Sequence, residues 1–444
     1  MNQFKSILKK LIPKGVLNLR HLFFAWYGAY KYGHPSEEML VIGVTGTSGK
    51  SSTVFLLRQL LEAAGHTVGS LSTIDFYIAG ENKLNDQKMT MLGKMQIQKY
   101  LREMVDQKCD IAIVETTSEG RVQYRHRFIN YDMMMLTNLY PEHIDSHGSF
   151  EKYKRAKLDI FEYVSKSHRK KGTGNGERGT KIAMVNGNSE YAEEFLAFDF
   201  DKKVTFGTDV VDKEVKNDGL YFSIKNHAFH APLYGEHNIS NIAGAIAIAR
   251  ELDIDWAVLV KAVSILKPIP GRIEFIPETE KYGFQAIVDY AFEPKAMSAL
   301  YEVVKLIDPK RIIHVFGSTG GGRDKDRRFK LGEMIGSHAD ICIITDEDPY
   351  DDDPMEIIDD VVSAVASQGK ELKNNLFKIL DRKEAIAEAV HMAEEGDLVL
   401  VTGKGSEQGM CVAGGKMIAW DDREIVRDSL KNKKQSLNKD CKVD

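Results

Sequence analysis

Cysteine is scarce in this chain, with four residues in 444: Cys109, Cys342, Cys411 and Cys441. They are widely scattered, which excludes a zinc site, leaves no disulfide framework and fits a reducing cytoplasm. Long apolar runs are missing too. The N-terminal run at residues 22–30, LFFAWYGAY, is about half the roughly 18 residues a membrane span needs, and no A-x-A-like cleavage site follows it. With the lysines of residues 1–14, this stretch is expected to be a helix packed on the next domain. Peripheral contact of its basic and aromatic side chains with a membrane surface is the alternative. Excess positive charge is also lacking. A formal net charge of -5 and a pI near 6.3 exclude a nucleic-acid platform built on bulk charge, so nucleic acid is not an expected partner. With 43% hydrophobic and 28% charged residues, the chain has the balance of a globular protein of two or three domains.

Residues 41–52, VIGVTGTSGKSS, join a short apolar strand to a G-x-x-x-x-G-K-S loop. Such a loop turns its backbone N–H groups around phosphates, its lysine (Lys50) reaches the β- and γ-phosphates, and its serine hydroxyl (Ser51) can ligate Mg²⁺. A helix should follow and end at Gly65. Further strands are expected at residues 111–115, 133–138 and 181–186, alternating with helices. This pattern predicts an α/β fold: a P-loop ATPase-type central domain with a mostly parallel sheet over residues 38–267, preceded by a helical segment at residues 1–37. Pro268-Ile-Pro-Gly-Arg marks a boundary. Beyond it, strands near residues 286–289, 311–317, 341–345 and 398–401 predict a C-terminal Rossmann-like α/β domain to residue 430, then a polar tail over 431–444. The basic, glycine-rich stretch at 165–180 reads as a flexible surface loop without chemistry.

In open parallel sheets, ligands gather beyond the carboxyl ends of the strands, so Glu115 and the loop after Leu136 should lie near the phosphate loop. There, a carboxylate and the His143 imidazole could hold a second Mg²⁺. Alone, His143 reads as a surface or capping histidine and Lys157 as a solvated helix lysine.

Their spacing resembles that of the Mur ligases, the ATP-dependent amide-forming enzymes of cell-wall peptide synthesis. TGTxGK[ST][ST] stands at residues 45–52, N-x-x-x-x-H-x-D-x-H-G at 138–148 and Y-x-x-A-K at 153–157. HNISN, PGRIE, VDYA, GRDK and GKGSE follow from residues 237, 270, 288, 322 and 403. Within the family, the resemblance is to the branch that adds the third stem-peptide residue. It implies an acyl-phosphate mechanism, with ATP and Mg²⁺, a muramyl-peptide acceptor and an amino acid. Gly46, Thr47, Ser48, Gly49, Lys50, Ser51 and Ser52 would hold the phosphates, with Asn138 nearby. Asn238, Asn241, Arg272 and Asp289 would surround ATP. Ser51, Glu115, His143 and a carbamylated Lys157 would serve the metal ions. Thr90, Ser118, Gln123 and Arg125 would contact the muramyl-peptide, while Arg323, Asp348, Tyr350 and Glu407 would serve the amino acid.

The chain also departs from the family pattern. Glu119 and Phe292 replace common histidines, and Ser406 turns GKGHE into GKGSE. Only about forty residues precede the phosphate-loop strand, too few for the family's UDP-binding domain. The acceptor is therefore expected to carry either UDP, held weakly by other parts of the chain or by a surface that a partner supplies, or a lipid carrier. In the acceptor loop, TDEDPYDDDP, Tyr350 stands where diaminopimelate-adding members place an arginine. With the many acids around it, this favours a lysine- or ornithine-like substrate, although Asp351, Asp352 and Asp353 could equally cap the next helix. A folylpolyglutamate synthetase-like ligase and a non-catalytic scaffold on a decayed ligase fold are the alternatives. The oligomeric state is not legible.

Overall fold

The computed structural model describes residues 14–85, 89–141, 147–171, 179–322 and 325–440. It divides into two compact units. The first runs to Glu214 and takes in Leu220–Pro232 and Glu236–Leu266; the second comprises Val215–Gly219, Leu233–Gly235 and the chain from Lys267 onward.

The first unit is built on an eight-stranded sheet: β1 (Leu40–Thr45), β2 (Val68–Leu71), β3 (Asp75–Ile78), β4 (Glu81–Leu84), β5 (Ile111–Glu115), β6 (Met133–Leu136), β7 (Ile182–Asn186) and β8 (Lys202–Phe206). Its order is β4-β3-β2-β5-β1-β6-β7-β8. The strands from β2 to β8 pair in parallel, and β3 and β4 turn antiparallel at one edge. The runs IAIVE, MMML and IAMVN are buried along their whole length, as expected where helices cover both faces of a parallel sheet. The helices of this unit are α1 (Lys14–Lys31), α2 (Lys50–Ala63), α3 (Lys94–Asp106), α4 (Ser118–Val122), α5 (Phe150–Lys166), α6 (Ala192–Leu196), α7 (His237–Glu251) and α8 (Trp256–Ser264). Ser149 caps α5 by accepting from Lys152 N, and Thr117 caps α4 by accepting from Gly120 N. A small antiparallel sheet contains β9 (Val210–Lys216), β10 (Gly219–Ile224) and β11 (His227–Ala231).

The basic stretch at 165–180 is not simply a surface loop. Lys170 is buried and donates to Met39 O at 2.9 Å and to the Asp132 carboxylate, whose Oδ2 also accepts from Val41 N at 2.8 Å. Arg169 forks onto Asp201. A buried ammonium needs such partners, and here they pin the segment beneath the starts of β1 and β6. Residues 172–178 of the stretch lie outside the described residues.

The second unit has the sheet order β12-β13-β17-β14-β15-β16, where β12 is Glu274–Phe275, β13 Gln285–Asp289, β14 Arg311–Phe316, β15 Ile341–Ile344, β16 Leu376–Lys378 and β17 Asp397–Thr402. All pairs but the first are parallel. Around it stand α9 (Pro294–Ile307), α10 (Asp326–His338), α11 (Pro354–Ala366), α12 (Arg382–Met392) and α13 (Asp422–Asp440), with a hairpin of β18 (Gly409–Val412) and β19 (Lys416–Ala419). The polar tail from Lys431 is helical as far as Asp440.

One buried ion pair ties the end of this unit to its sheet. Asp381 caps α12, and Arg382 then forks onto Asp422 at the start of α13 with N–O distances of 2.9 and 2.7 Å, while also donating to Thr402 O. Both side chains are fully buried. Asp422→Ala leaves the guanidinium unpaired in the interior and should cost about 3–5 kcal/mol. Chemical denaturation should give that loss, whereas the joint replacement Arg382→Met with Asp422→Leu should cost much less. A loss below about 1 kcal/mol for the single variant would contradict this account.

Candidate active site

The phosphate loop leaves β1 at the centre of the first sheet, where neighbouring strands run to either side. Gly46 has φ 154° and Gly49 φ 76°. A β-carbon on Gly46 would lie 1.9 Å from Thr137 Oγ1, and one on Gly49 2.4 Å from Asn241 Oδ1, so both positions exclude side chains. Lys50 opens α2 and curls back over the loop, donating to Gly46 O at 3.1 Å and Thr47 O at 2.9 Å. Asn138 clamps the loop from the end of β6: its Oδ1 accepts from Ser48 N at 2.9 Å and its Nδ2 donates to Ser48 O at 3.2 Å. Thr47 Oγ1 accepts from Tyr153 OH at 3.1 Å. From α7, Asn241 accepts from Thr53 Oγ1 and donates to Asn238. Ser52 is buried in the first turn of α2.

Glu115 ends β5 in register with Val44 of β1. Its Oε2 accepts from Ser51 Oγ at 2.9 Å, Thr73 N at 2.9 Å and Thr73 Oγ1 at 3.2 Å. Thr73 Oγ1 also reaches Thr90 Oγ1 at 3.0 Å. Thus the serine and the carboxylate expected at the metal stand together, and a threonine that carries no motif joins them to Thr90, expected at the acceptor.

Lys157 is fully buried on α5. Its Nζ donates to Gly46 O at 2.7 Å and lies 4.7 Å from the Tyr153 ring centre. Burial, followed by repulsion from Lys50, holds its amine well below the ordinary lysine range, with Glu115 pulling the other way.

These groups share one cavity of about 370 Å³ in the first unit. Gly46, Lys50 and Lys157 line it together with Thr90, Ser118 and Arg125. Ser118 Oγ pairs with His147 Nε2 at 3.1 Å, and Arg125 donates to Gln123 Oε1 at 2.8 Å and to Met91 O. His147 and Tyr153, both lining residues, were within the quoted motifs but without an assigned role; Thr73 carried no signal. A larger cleft of about 810 Å³ lies between α4 and α5, lined by the ion-paired Arg121, Arg155 and Asp159, and contains none of the loop residues. His143 and Arg323 lie outside the described residues. Among those residues, no three metal-ligating His, Cys, Asp or Glu side chains cluster.

In the second unit, the expected residues form a polar network of their own. Tyr290 OH donates to Glu407 Oε1 at 2.9 Å, and buried Lys404 donates to Glu407 Oε2 at 2.7 Å and to both Asp348 oxygens at 3.0 and 2.9 Å. Cys411 N completes Asp348 at 2.7 Å. The Arg272 guanidinium sits 4.2 Å from the Tyr290 ring centre. Asp289, raised by burial, accepts from Ile273 N and Ala291 N. Tyr350 takes a left-handed backbone (φ 56°) and packs over Gly321. The acids around it are already engaged: Asp353 caps α11, Asp352 accepts from Gly321 N and Asp351 from Gly414 N. Asp353 thus takes the capping role that the sequence left open, while Asp352 and Asp351 hold loops.

Residues 44–249 match the model of the Mur ligase middle domain, and residues 271–405 that of the Mur ligase, glutamate ligase domain. The chain is 32% identical over 413 residues to a UDP-N-acetylmuramyl-tripeptide synthetase of Roseiflexus sp. (strain RS-1), covering 90% of this chain and 80% of the relative. It is also 32% identical over 442 residues to a UDP-N-acetylmuramoyl-L-alanyl-D-glutamate--2,6-diaminopimelate ligase of Chlamydia felis, covering 97% and 84%. A solved structure of a ligase of the latter name superposes with a TM-score of 0.56 at 25% identity, over 89% of this chain and 78% of that one. Mycobacterium tuberculosis folylpolyglutamate synthase, solved with ADP and AMPPCP, shares the fold at a TM-score of 0.66 and 16% identity, over 87% and 93%. With the loop, the buried lysine and both domain matches in one order along the sequence, the chain belongs to the Mur ligase family.

Proposed function

We propose that the protein is an ATP-dependent ligase that adds an amino acid, of the diamino class, to a muramyl-peptide precursor of peptidoglycan. The single cavity that brings Lys50 and Lys157 together with Thr90, Ser118 and Arg125 carries this reading. An acceptor carboxylate oxygen attacks the γ-phosphorus of ATP, the bond to the ADP oxygen breaks, and an acyl phosphate forms. The amine nitrogen of the amino acid then attacks the acyl carbon, loses a proton, and phosphate leaves. Both steps gather negative charge, and Lys50 with the loop N–H groups offsets it by position rather than by covalent participation. Arg125 and Ser118 would orient the acceptor. The Ser51 hydroxyl and Glu115, whose Oε1 accepts no hydrogen bond among the described residues, form an oxygen donor set that fits Mg²⁺. When bound there, Mg²⁺ supplies charge neutralisation to the phosphates. His143 is proposed to serve a second ion, and Lys157 to react with CO₂ to give a carbamate, which turns a buried amine into an anion. Asn238, Asn241, Arg272 and Asp289 are proposed around the nucleotide, and Arg323, Asp348, Tyr350 and Glu407 around the amino acid. The acceptor carries UDP or a lipid, the latter with membrane contact through α1. A cytoplasmic location suits each of these substrates, and among the described residues no helix is long and apolar enough to cross a membrane.

Phosphate release should require acceptor and amino acid together. Lys50→Ala should lower kcat by at least about 100- to 1,000-fold, and product formation at the wild-type rate would show the loop assignment to be wrong. Lys157→Ala should be nearly inactive and partly rescued by short carboxylates; full activity of this variant in CO₂-depleted buffer refutes the carbamate. Substrate choice rests on Tyr350, since the neighbouring acids are engaged. A bidentate arginine there is worth about 2–3 kcal/mol, or roughly 30- to 150-fold, to a second carboxylate. In competition assays, wild type should prefer lysine or ornithine to meso-diaminopimelate and Tyr350→Arg should shift towards the latter. A wild-type preference for diaminopimelate overturns this choice.

A further inference from the structure

Helix α1 has two unlike faces. Ala25, Gly28 and Ala29 are buried, and a β-carbon on Gly28 would lie 3.2 Å from Met95 Cα, so this face is pressed against the start of α3. The opposite face carries Val16, Leu19, Phe23, Trp26, Tyr27 and Tyr30, with Leu19 68% and Tyr30 65% exposed. Their rings stack along the helix, Phe23 on Tyr27 at 6.1 Å and Trp26 on Tyr30 at 5.8 Å. Among the described residues, the aromatic partners of these four rings are one another and Phe24 of the same helix. An exposed aromatic face on a helix that does not span a membrane has the composition of the bilayer interface. Charge agrees: residues 1–36 contain Lys5, Lys9, Lys10, Lys14, Arg20 and Lys31 and no acid, in a chain whose net charge is -5.

Beside this face, Arg20 and Phe24 of α1, with Lys94 and Gln96 of α3 and Gln123, line a cleft of about 540 Å³. Among the described residues, neither Arg20 nor Lys94 has an acidic partner. Burial, then the nearby cations Arg125 and Arg20, lower Lys94 to about 8. Gln123, lining the cleft, accepts from Arg125, which lines the acceptor cavity with Thr90 and Ser118. Cations therefore run from the aromatic helix to the place where the acceptor peptide is proposed to sit. Arg20 and Lys94, which share the cleft, with Arg125 beyond Gln123 and partly offset by Glu119, fit an anion of more than one charge.

We propose that α1 is an interfacial helix whose aromatic face rests on an anionic bilayer, and that the cleft between α1 and α3 takes the diphosphate of an acceptor tethered to that bilayer by a hydrocarbon chain. The assignment rests on the muramyl-peptide ligase reading and names the carrier of its acceptor.

Flotation of the full chain with vesicles tests it. The protein should float with phosphatidylcholine vesicles containing about 30% phosphatidylglycerol and not with phosphatidylcholine alone. Phe23→Ser with Trp26→Ser, both at exposed positions, should weaken this at least about tenfold. Geranylgeranyl diphosphate should bind more tightly than UDP, and Arg20→Gln with Lys94→Gln should weaken it about tenfold or more. Lys50→Ala should float like wild type. Failure of wild type to float, an aromatic face consumed in a dimer seen by sedimentation, or UDP binding as tight as the prenyl diphosphate each overturns the proposal. If wild type ligates a soluble acceptor but does not float, only the membrane assignment falls; if it floats but ligates nothing, the ligase reading falls.

Discussion

The first unit depends on the absence of two β-carbons. Thr137 from the end of β6 presses on Gly46, and Asn241 from α7 presses on Gly49, at distances no side chain could share. These contacts fix the loop between a strand and a helix far away in the sequence, and the carbonyls so positioned receive Lys50 and Lys157. Both amines therefore rest on loop carbonyls that backbone packing positions. Relaxing either glycine contact would move the loop's N–H groups and both lysines together.

Buried cations elsewhere in the protein show how unusual Lys157 is. Lys170 has Asp132, Lys404 has Asp348 and Glu407, and Arg382 has Asp422. Each is a charge matched by a carboxylate, the condition under which an ion is retained in an interior. Lys157 instead meets a carbonyl and the face of a tyrosine ring, with Lys50 near enough to repel it. Such surroundings disfavour an ammonium, which sets Lys157 apart from the carboxylate-paired cations and supports the chemistry proposed for it.

The architecture was legible because buried parallel strands leave unbroken apolar runs, and residues 41–44, 111–115 and 341–345 announce β1, β5 and β15 within a residue at either end. Asn138 and Lys157 stood out only through the resemblance of their motifs, since alone Lys157 reads as a solvated helix lysine, and its burial comes from the fold. Thr73 was not, because its role comes from a backbone N–H that reaches Glu115 across 42 positions. Lys170 was misread because glycine and lysine content describes a loop, whereas its partner Asp132 is 38 residues away. Of the acids at 351–353, the capping role of Asp353 was legible, whereas Gly321 N and Gly414 N, the partners of Asp352 and Asp351, come from distant loops.

The chain Ser51–Glu115–Thr73–Thr90 has a thermodynamic consequence. One carboxylate oxygen serves the phosphate-loop hydroxyl and Thr73, whose hydroxyl reaches Thr90 in the cavity wall. A ligand that draws Ser51 away from Glu115 changes what Thr73 can offer Thr90, and a ligand on Thr90 changes what remains for Ser51. By linkage, the two effects on affinity must be equal. A nucleotide on Ser51 and an acceptor on Thr90, as proposed, would thus be mutual effectors through four side chains, and their order of arrival would set the path to the ternary complex without altering its stability.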